Sequence, residues 1–238
     1  PSAWRYEIGY VRNRELQWYQ PDNANIKGGV LVIEGRRQKI KNPYYIAGSS
    51  DWKKSRQYTQ YTSSSIQTRG LNEWLFGRFE IRARIDTASG AWPAIWTLGL
   101  KGQWPSNGEI DIMEFYRIKG VPTILANFAW GTEKQNIAKW DDLKKPLADF
   151  TSKDPAWVQK FHVWRMDWDS YSIRLFVDNQ LLNEVQLSET INPDGSNPFL
   201  QPHYLLLNLA IGANGGDPTK SKFPITFEVD WVRVYQRQ

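Results

Sequence analysis

Cysteine is absent from the 238 residues, so the chain carries neither a disulfide nor a thiolate metal site. Two histidines without any thiol argue against a catalytic transition metal. No apolar run approaches 18 residues, which excludes a membrane-spanning helix. Blocks of five or six like charges are also missing. The net charge of +5 is therefore scattered, and a nucleic-acid partner is not expected. The start, Pro1-Ser2-Ala3-Trp4, has no signal-peptide pattern. The expectation is a mature or trimmed form of a secreted, periplasmic or cell-surface protein.

Aromatic side chains are plentiful: 13 Trp, 11 Tyr and 10 Phe. Such rings fill cores, and they also stack on the apolar C–H faces of sugars, which suits a carbohydrate groove. Period-two alternation recurs along the chain. In Phe76 to Ile85, Phe79, Ile81, Ala83 and Ile85 share one face, and Arg78, Glu80, Arg82 and Arg84 the other. Val30 to Gly35, Ile124 to Trp130, Phe161 to Asp169, Ser172 to Asp178, Leu181 to Leu187, Leu205 to Ile211 and Phe227 to Tyr235 also read as strands. With little helix and no βαβ rhythm, the expected fold is a single all-β sandwich of two antiparallel sheets, residues 1–238.

One stretch breaks the alternation. In Asn107-Gly108-Glu109-Ile110-Asp111-Ile112-Met113-Glu114-Phe115, Glu109 and Asp111 share a face, whereas strict alternation turns Glu114 away. A one-residue bulge at Met113 restores it, since a bulge sets two residues against one. Three carboxylates then line one side of a strand, where they repel and shift one another's pKa values. Two carboxyl groups across a sugar ring are the equipment for cutting a glycosidic bond. Glu109 and Glu114 stand about four strand rises apart, about 13 Å between α-carbons. Inward-leaning side chains bring the carboxyls towards the ~5–5.5 Å of a retaining enzyme, with Asp111 between them.

Glu109-Ile110-Asp111-Ile112-Met113-Glu114 resembles the active-site signature of glycoside hydrolase family 16, in the bulged form typical of laminarinase-like members. The resemblance extends to Asn13-Arg14-Glu15-Leu16-Gln17-Trp18-Tyr19, Phe76-Gly77-Arg78-Phe79-Glu80, Trp92-Pro93-Ala94-Ile95-Trp96 and Val229-Asp230-Trp231-Val232-Arg233-Val234-Tyr235. It implies a β-jelly roll with a concave substrate cleft, acting within the polymer. By the same analogy Glu109 is the nucleophile, Asp111 its assistant and Glu114 the general acid/base. The implied activity is a retaining endo-β-glucanase on β-1,3 or mixed β-1,3/1,4 glucan. A β-galactanase of the agarase, porphyranase or carrageenase type shares the signature, and a non-catalytic sugar-binding jelly roll is the alternative from another class.

Departures from the family pattern matter. An expected N-terminal strand is missing, Ser65 stands near a usual arginine, and Ala129 precedes Trp130-Gly131 where laminarinases commonly carry histidine. Asn127, on the face of Ala129, is expected to take over that polar role. Trp92, beside Pro93, is the expected stacking platform, and Trp96 shares its parity. Trp104 lies in a turn just before Glu109, while Trp130 and the family-matched Asn13 complete the substrate-binding set. Trp140 is a further rim candidate. Gly29 and Asp230 match positions that in relatives help bind a structural calcium, although one usual ligand belongs to the missing segment. No other cofactor is expected, and a monomer is. Arg36 to Tyr58 reads as a long loop bordering the groove, and Asp141 to Phe150 as weakly helical at the rim. His162, in an alternating apolar strand, reads as structural, and His203, after Pro202, as a strand start.

Overall fold

A computed structural model describes residues 3–237. The first strands are β1 (Arg5–Tyr6), β2 (Gln17–Tyr19), β3 (Ala24–Lys27), β4 (Val30–Lys41), β5 (Tyr58–Ser63) and β6 (Ser65–Gln67). The middle of the chain gives β7 (Gly77–Ile85), β8 (Ala91–Gly99), β9 (Glu109–Ile118), β10 (Val121–Gly131) and β11 (Ala138–Pro146). The last are β12 (His162–Trp168), β13 (Ser172–Val177), β14 (Gln180–Gln186), β15 (His203–Ile211) and β16 (Ile225–Tyr235). They build two sheets. One has seven strands in the order β1-β6-β15-β8-β9-β10-β11, and the other nine, β14-β13-β12-β7-β16-β4-β5-β2 with β3 beside β4. All pairings are antiparallel except β2 with β5 at an edge.

Alternation explains the sandwich. Phe79, Ile81 and Ala83 of β7 are fully buried between the sheets, and Ile110, Phe128, Leu205 and Leu207 meet them from the other side. Each such large apolar side chain contributes about 1.5–3 kcal/mol on burial. In β15 all nine residues are buried, because its second face is covered as well. Leu205, Leu207, Leu209 and Ile211 enter the main core, while Tyr204 and Leu206 join Ala94 and Trp96 in a small second cluster under the cleft.

Three expectations are corrected here. Asp141 to Phe150 is mostly strand: β11 runs from Ala138 to Pro146, and helix is confined to Ala148–Thr151. Pairing with β10 outweighs local propensity at the exposed sheet edge. Residues 36–58 do not border the cleft. β4 continues to Lys41, and the loop beyond folds onto the amino-terminal segment, with Tyr44 stacked on Trp18 at 6.1 Å and Trp52 against Tyr10 at 5.7 Å. Trp130 is 3% exposed and points into the core. It has the opposite parity to Asn127 and Ala129, so the strand that places them in the cleft turns Trp130 away.

Candidate active site

The bulge forms as the spacing requires. Along β8, Leu98 faces Glu109, Trp96 faces Asp111, and Ala94 faces Glu114. Along β10, Ala129, Asn127 and Leu125 face the same three acids. Ala126 is therefore opposed by both Ile112 and Met113, and both of these are fully buried in the core. The extra residue turns Glu114 back onto the face of Glu109 and Asp111, and all three line one cleft of about 830 Å³.

The cleft floor is read most simply as rows running across the seven-stranded sheet. One row is Tyr204, Leu98, Glu109, Ala129 and Trp140; the next is Leu206, Trp96, Asp111, Asn127 and Asp142. The third is Asn208, Ala94, Glu114, Leu125 and Lys144. Small side chains at Ala94 and Ala129 flank the two glutamates, which leaves room for a ring above them. The backbone thus fixes the spacing of the acids and the breadth of the trough.

Each glutamate is held by an indole. Trp104 Nε1 donates to Glu109 Oε2 at 2.8 Å, and Trp92 Nε1 donates to Glu114 Oε1 at 2.8 Å. Asn127 Nδ2 lies 3.3 Å from Asp111 Oδ2 and 3.4 Å from Glu114 Oε2, donating between them. Burial pushes Glu109 up to about 7, against the pull of the Trp104 N–H, an Asp111 hydrogen bond and the Arg12 charge. Burial also pushes Glu114 up to about 7, opposed by Trp92 and reinforced by the charges of Glu109 and Glu15. Asp111 is raised well above its ordinary range by burial and by the two glutamates on either side. Its hydrogen bonds favour the ionised form of both Glu109 and Glu114, so it stands between them as a shared partner.

This crowding has a stability signature. Carboxyl groups whose folded pKa rises from 4.5 to about 7 bind more protons in the native than in the unfolded state. Stability then falls as pH climbs through that window. Glu114→Gln removes a charge that is costly to bury and is repelled by Glu109, so its melting temperature is expected to exceed wild type at pH 8 and to match it near pH 4.5. Equal melting curves at both pH values would show that Glu114 is not raised in the folded protein.

The remaining expected site residues divide by location. Asn13 lines the cleft from a left-handed turn (φ 56°), with Nδ2 3.4 Å from Glu15 Oε1. Trp96 forms floor, its Nε1 donating to Asn208 Oδ1 at 2.7 Å. Trp92 is 7% exposed, so it is a buried donor to Glu114 and not an open stacking platform. Trp104 and Trp140, at 39% and 43%, are the exposed indoles of the cleft. Arg12, Glu15, Tyr116, Asp142 and Lys144 also line it and were not expected there. Tyr116 follows Glu114 at the same parity, a signal the sequence did carry; Asp142 and Lys144 were hidden by the helical reading of β11.

Asp230 sits at a bulge in β16 and pairs with Arg82, while Gly29 lies in the exposed β3–β4 turn. Calcium takes six to eight oxygens. With the Asp230 carboxylate engaged by a guanidinium, these two residues do not fit a calcium cradle, and among the described residues no cluster of three or more His, Cys, Asp or Glu is placed to hold a metal. Both histidines are structural. His162 bridges Asp178 and the Trp157 carbonyl at 2.9 Å each, and burial pushes His203 down to about 4.

Comparison with known proteins points to one family. The family model described as glycosyl hydrolases family 16 matches residues 37–233. A beta-glucanase of Rhodothermus marinus is 34% identical over 99% of this chain and 80% of its own length. Glucan endo-1,3-beta-glucosidase A1 of Niallia circulans is 32% identical over the whole chain, which spans 36% of that relative. Among solved structures, one from work on endo-acting O-glycanases with which human gut microbiota initiate mucin breakdown superposes with a TM-score of 0.88. It is 33% identical, covering 99% of this chain and 85% of the other. The laminarinase catalytic domain of Thermotoga maritima gives 0.79 at 28% identity, covering 100% and 93%. The all-β sandwich, the three aligned acids and these matches lead to one conclusion: the chain belongs to glycosyl hydrolases family 16.

Proposed function

We propose that the chain is a retaining endo-acting β-glucanase that cuts β-1,3 or mixed β-1,3/1,4 glucan within the polymer. The observation that carries the reading is the bulge, which sets Glu109, Asp111 and Glu114 on one face of an open trough. Glu109 attacks the anomeric carbon while Glu114 gives its proton to the departing oxygen, and the sugar becomes an ester of Glu109. Glu114, now a carboxylate, takes a proton from water. That water displaces Glu109 and restores both groups. Asp111 stands between the pair as a shared hydrogen-bond partner. Trp104 and Trp140 offer exposed faces for flanking sugars. A polymer substrate favours action outside the cytoplasm, and no helix of the described residues is long and apolar enough to cross a membrane.

A second reading is favoured by two observations. The superposition on the structure from work on O-glycanases (0.88) exceeds that on the laminarinase domain (0.79), and Ala129 replaces the histidine common in laminarinases. On this reading the trough takes a galactose-containing chain or a mucin O-glycan. A panel of laminarin, barley β-glucan, agarose, carrageenan and mucin O-glycans, with sizing of the released products, decides between the two. Mid-chain cleavage of laminarin or barley β-glucan is expected. Cleavage confined to the galactose-containing substrates would replace the first reading by the second.

A further inference from the structure

A second cavity, of about 720 Å³, opens on the outer face of the nine-stranded sheet, on the side of the sandwich away from the three acids. That volume lies within the roughly 300–1,000 Å³ of ligand sites. Its floor is one row across four strands: Tyr235 of β16, Arg78 of β7, Asp167 of β12 and Arg174 of β13. The row faces outward because its neighbours in the chain, such as Phe79, Met166 and Leu175, are buried in the core. Residues 75–77 build one wall. Phe76 holds φ 66°, a left-handed backbone uncommon for a bulky side chain. Gly77 presses so closely on β16 that a Cβ there would stand 2.6 Å from the Tyr235 carbonyl oxygen. Gln236 Nε2 donates to the Leu75 carbonyl at 3.1 Å and ties the rim together.

The polar atoms of this hollow decide what it can hold. Three guanidinium groups, Arg78, Arg174 and Arg237, stand with three carboxylates, Glu80, Asp167 and Asp169. Asp167 is occupied by Arg78, whose Nε and Nη2 donate to it at 2.6 and 3.0 Å. Among the described residues, Glu80, Arg174 and Arg237 join no ion pair. Asp169 Oδ1 accepts from the Tyr171 and Ser172 N–H groups at 2.8 and 2.9 Å, which leaves Oδ2 over. Unused donors and acceptors thus surround Tyr235, which is 48% exposed. An apolar ligand would strand these groups, and an ionic one would be repelled by half of them. Hydroxyl groups donate and accept at once, and a sugar ring adds an apolar C–H face for the tyrosine. A neutral polyol matches the set.

We propose that this hollow is a second glycan site, holding the neutral β-linked chain that the cleft cuts, with Tyr235 under one sugar and Arg174, Arg237, Glu80 and Asp169 on its hydroxyls. Which glycan it holds rests on the function proposed above. Because the site lies on the other face of the sandwich, a further stretch of polymer occupies it while the cleft works. Holding a polymer at one place raises its effective concentration at the other. A short oligosaccharide gains nothing, since it cannot reach both faces.

The test is an amide NMR titration of the Glu109→Gln protein, which binds without cutting, with a β-1,3-linked glucan tetrasaccharide. Shifts are expected in the cleft and, separately, around residues 75–78, 167–170 and 235–237. Adding Tyr235→Ala is expected to raise the Kd read on the outer face roughly 2–12-fold, the share of one aromatic contact, and to leave the cleft Kd unchanged. Arg174→Ala, on an exposed side chain, is expected to weaken the same face, and Tyr235→Phe to keep it. With Glu109 intact, Tyr235→Ala raises the KM for barley β-glucan by a similar factor and leaves hydrolysis of the tetrasaccharide at wild type. Shifts confined to the cleft, or an outer-face Kd that neither Tyr235→Ala nor Arg174→Ala changes, would overturn the proposal. If wild type cuts galactose-containing chains and not glucan, the function proposed above fails, and the same titration with an agarose-derived tetrasaccharide still decides this site.

Discussion

Glu109→Ala is expected to lose at least about 10⁴-fold in kcat/KM, the scale seen when a member of a catalytic unit is removed. The loss follows from geometry, because Glu109 is the carboxyl group that Trp104 and Asp111 stabilise as an anion facing the cleft. Azide tests the role more sharply than the loss itself. With Glu109 cut to alanine, azide enters the vacated space and attacks the anomeric carbon directly, giving a glycosyl azide of inverted configuration. With Glu114→Ala the Glu109 ester still forms on a substrate with a good leaving group. Azide then displaces it, giving the retained configuration. Two displacements retain and one inverts, so the products report which residue is the nucleophile. Identical configurations from both variants, or near wild-type rates in Glu109→Ala, would remove the assignment.

Gly99→Ala is expected to damage both stability and catalysis although residue 99 touches no substrate. Gly99 ends β8 against the turn that carries Trp104. Its N–H donates to the Gly108 carbonyl at 3.1 Å, and its carbonyl accepts from Asn107 Nδ2 at 3.1 Å. A Cβ there would stand 1.8 Å from the Asn107 carbonyl oxygen and 2.7 Å from Gln201 Nε2. Backbone must move, and Asn107-Gly108 is the segment leading into Glu109. Overpacking of this kind costs about 1–3 kcal/mol, or roughly 2–12 °C in melting temperature for a chain of this size. A displacement near 1 Å at the nucleophile lowers kcat by up to about 10²-fold. Gly28→Asn is the control: Gly28 has φ 57°, nothing lies within 4 Å of its Cβ position, and asparagine tolerates that conformation. Activity in the control is expected to equal wild type. A Gly99→Ala variant with unchanged melting and rate would show that the turn yields freely.

The acids were legible because their chemistry is local. Glu109, Asp111 and Glu114 lie within six residues, and the apolar pattern of Ile110, Ile112, Met113 and Phe115 already requires a two-versus-one bulge to bury all four. Trp130 was misplaced by residue type alone; the parity of Asn127 and Ala129 on the same strand excluded it from the cleft. In β11 the run Lys139-Trp140-Asp141-Asp142-Leu143-Lys144-Lys145 has no apolar alternation to mark a strand, and the two-residue alternation of its exposure from Asp141 to Pro146 arises only from pairing with β10 at the sheet edge. The composition of the loop after β4 suggests a groove wall, whereas Tyr44 and Trp52 find rings of the amino-terminal segment to pack on.

Sequence by itself determined the strand-rich sandwich and the carboxylate face, since both rest on residue periodicity along single strands. It also marked His162 as structural, through its place in an alternating apolar strand. Only the tertiary structure decided what surrounds the acids. Trp92 and Trp104 became donors to different glutamates, and a loop near the start of the chain brought Arg12 and Glu15 to a site on β9 nearly a hundred residues later. Such pairings depend on which strands are neighbours in the sheet. Neighbour order is set by the burial of the whole core and leaves no trace in any short stretch of residues.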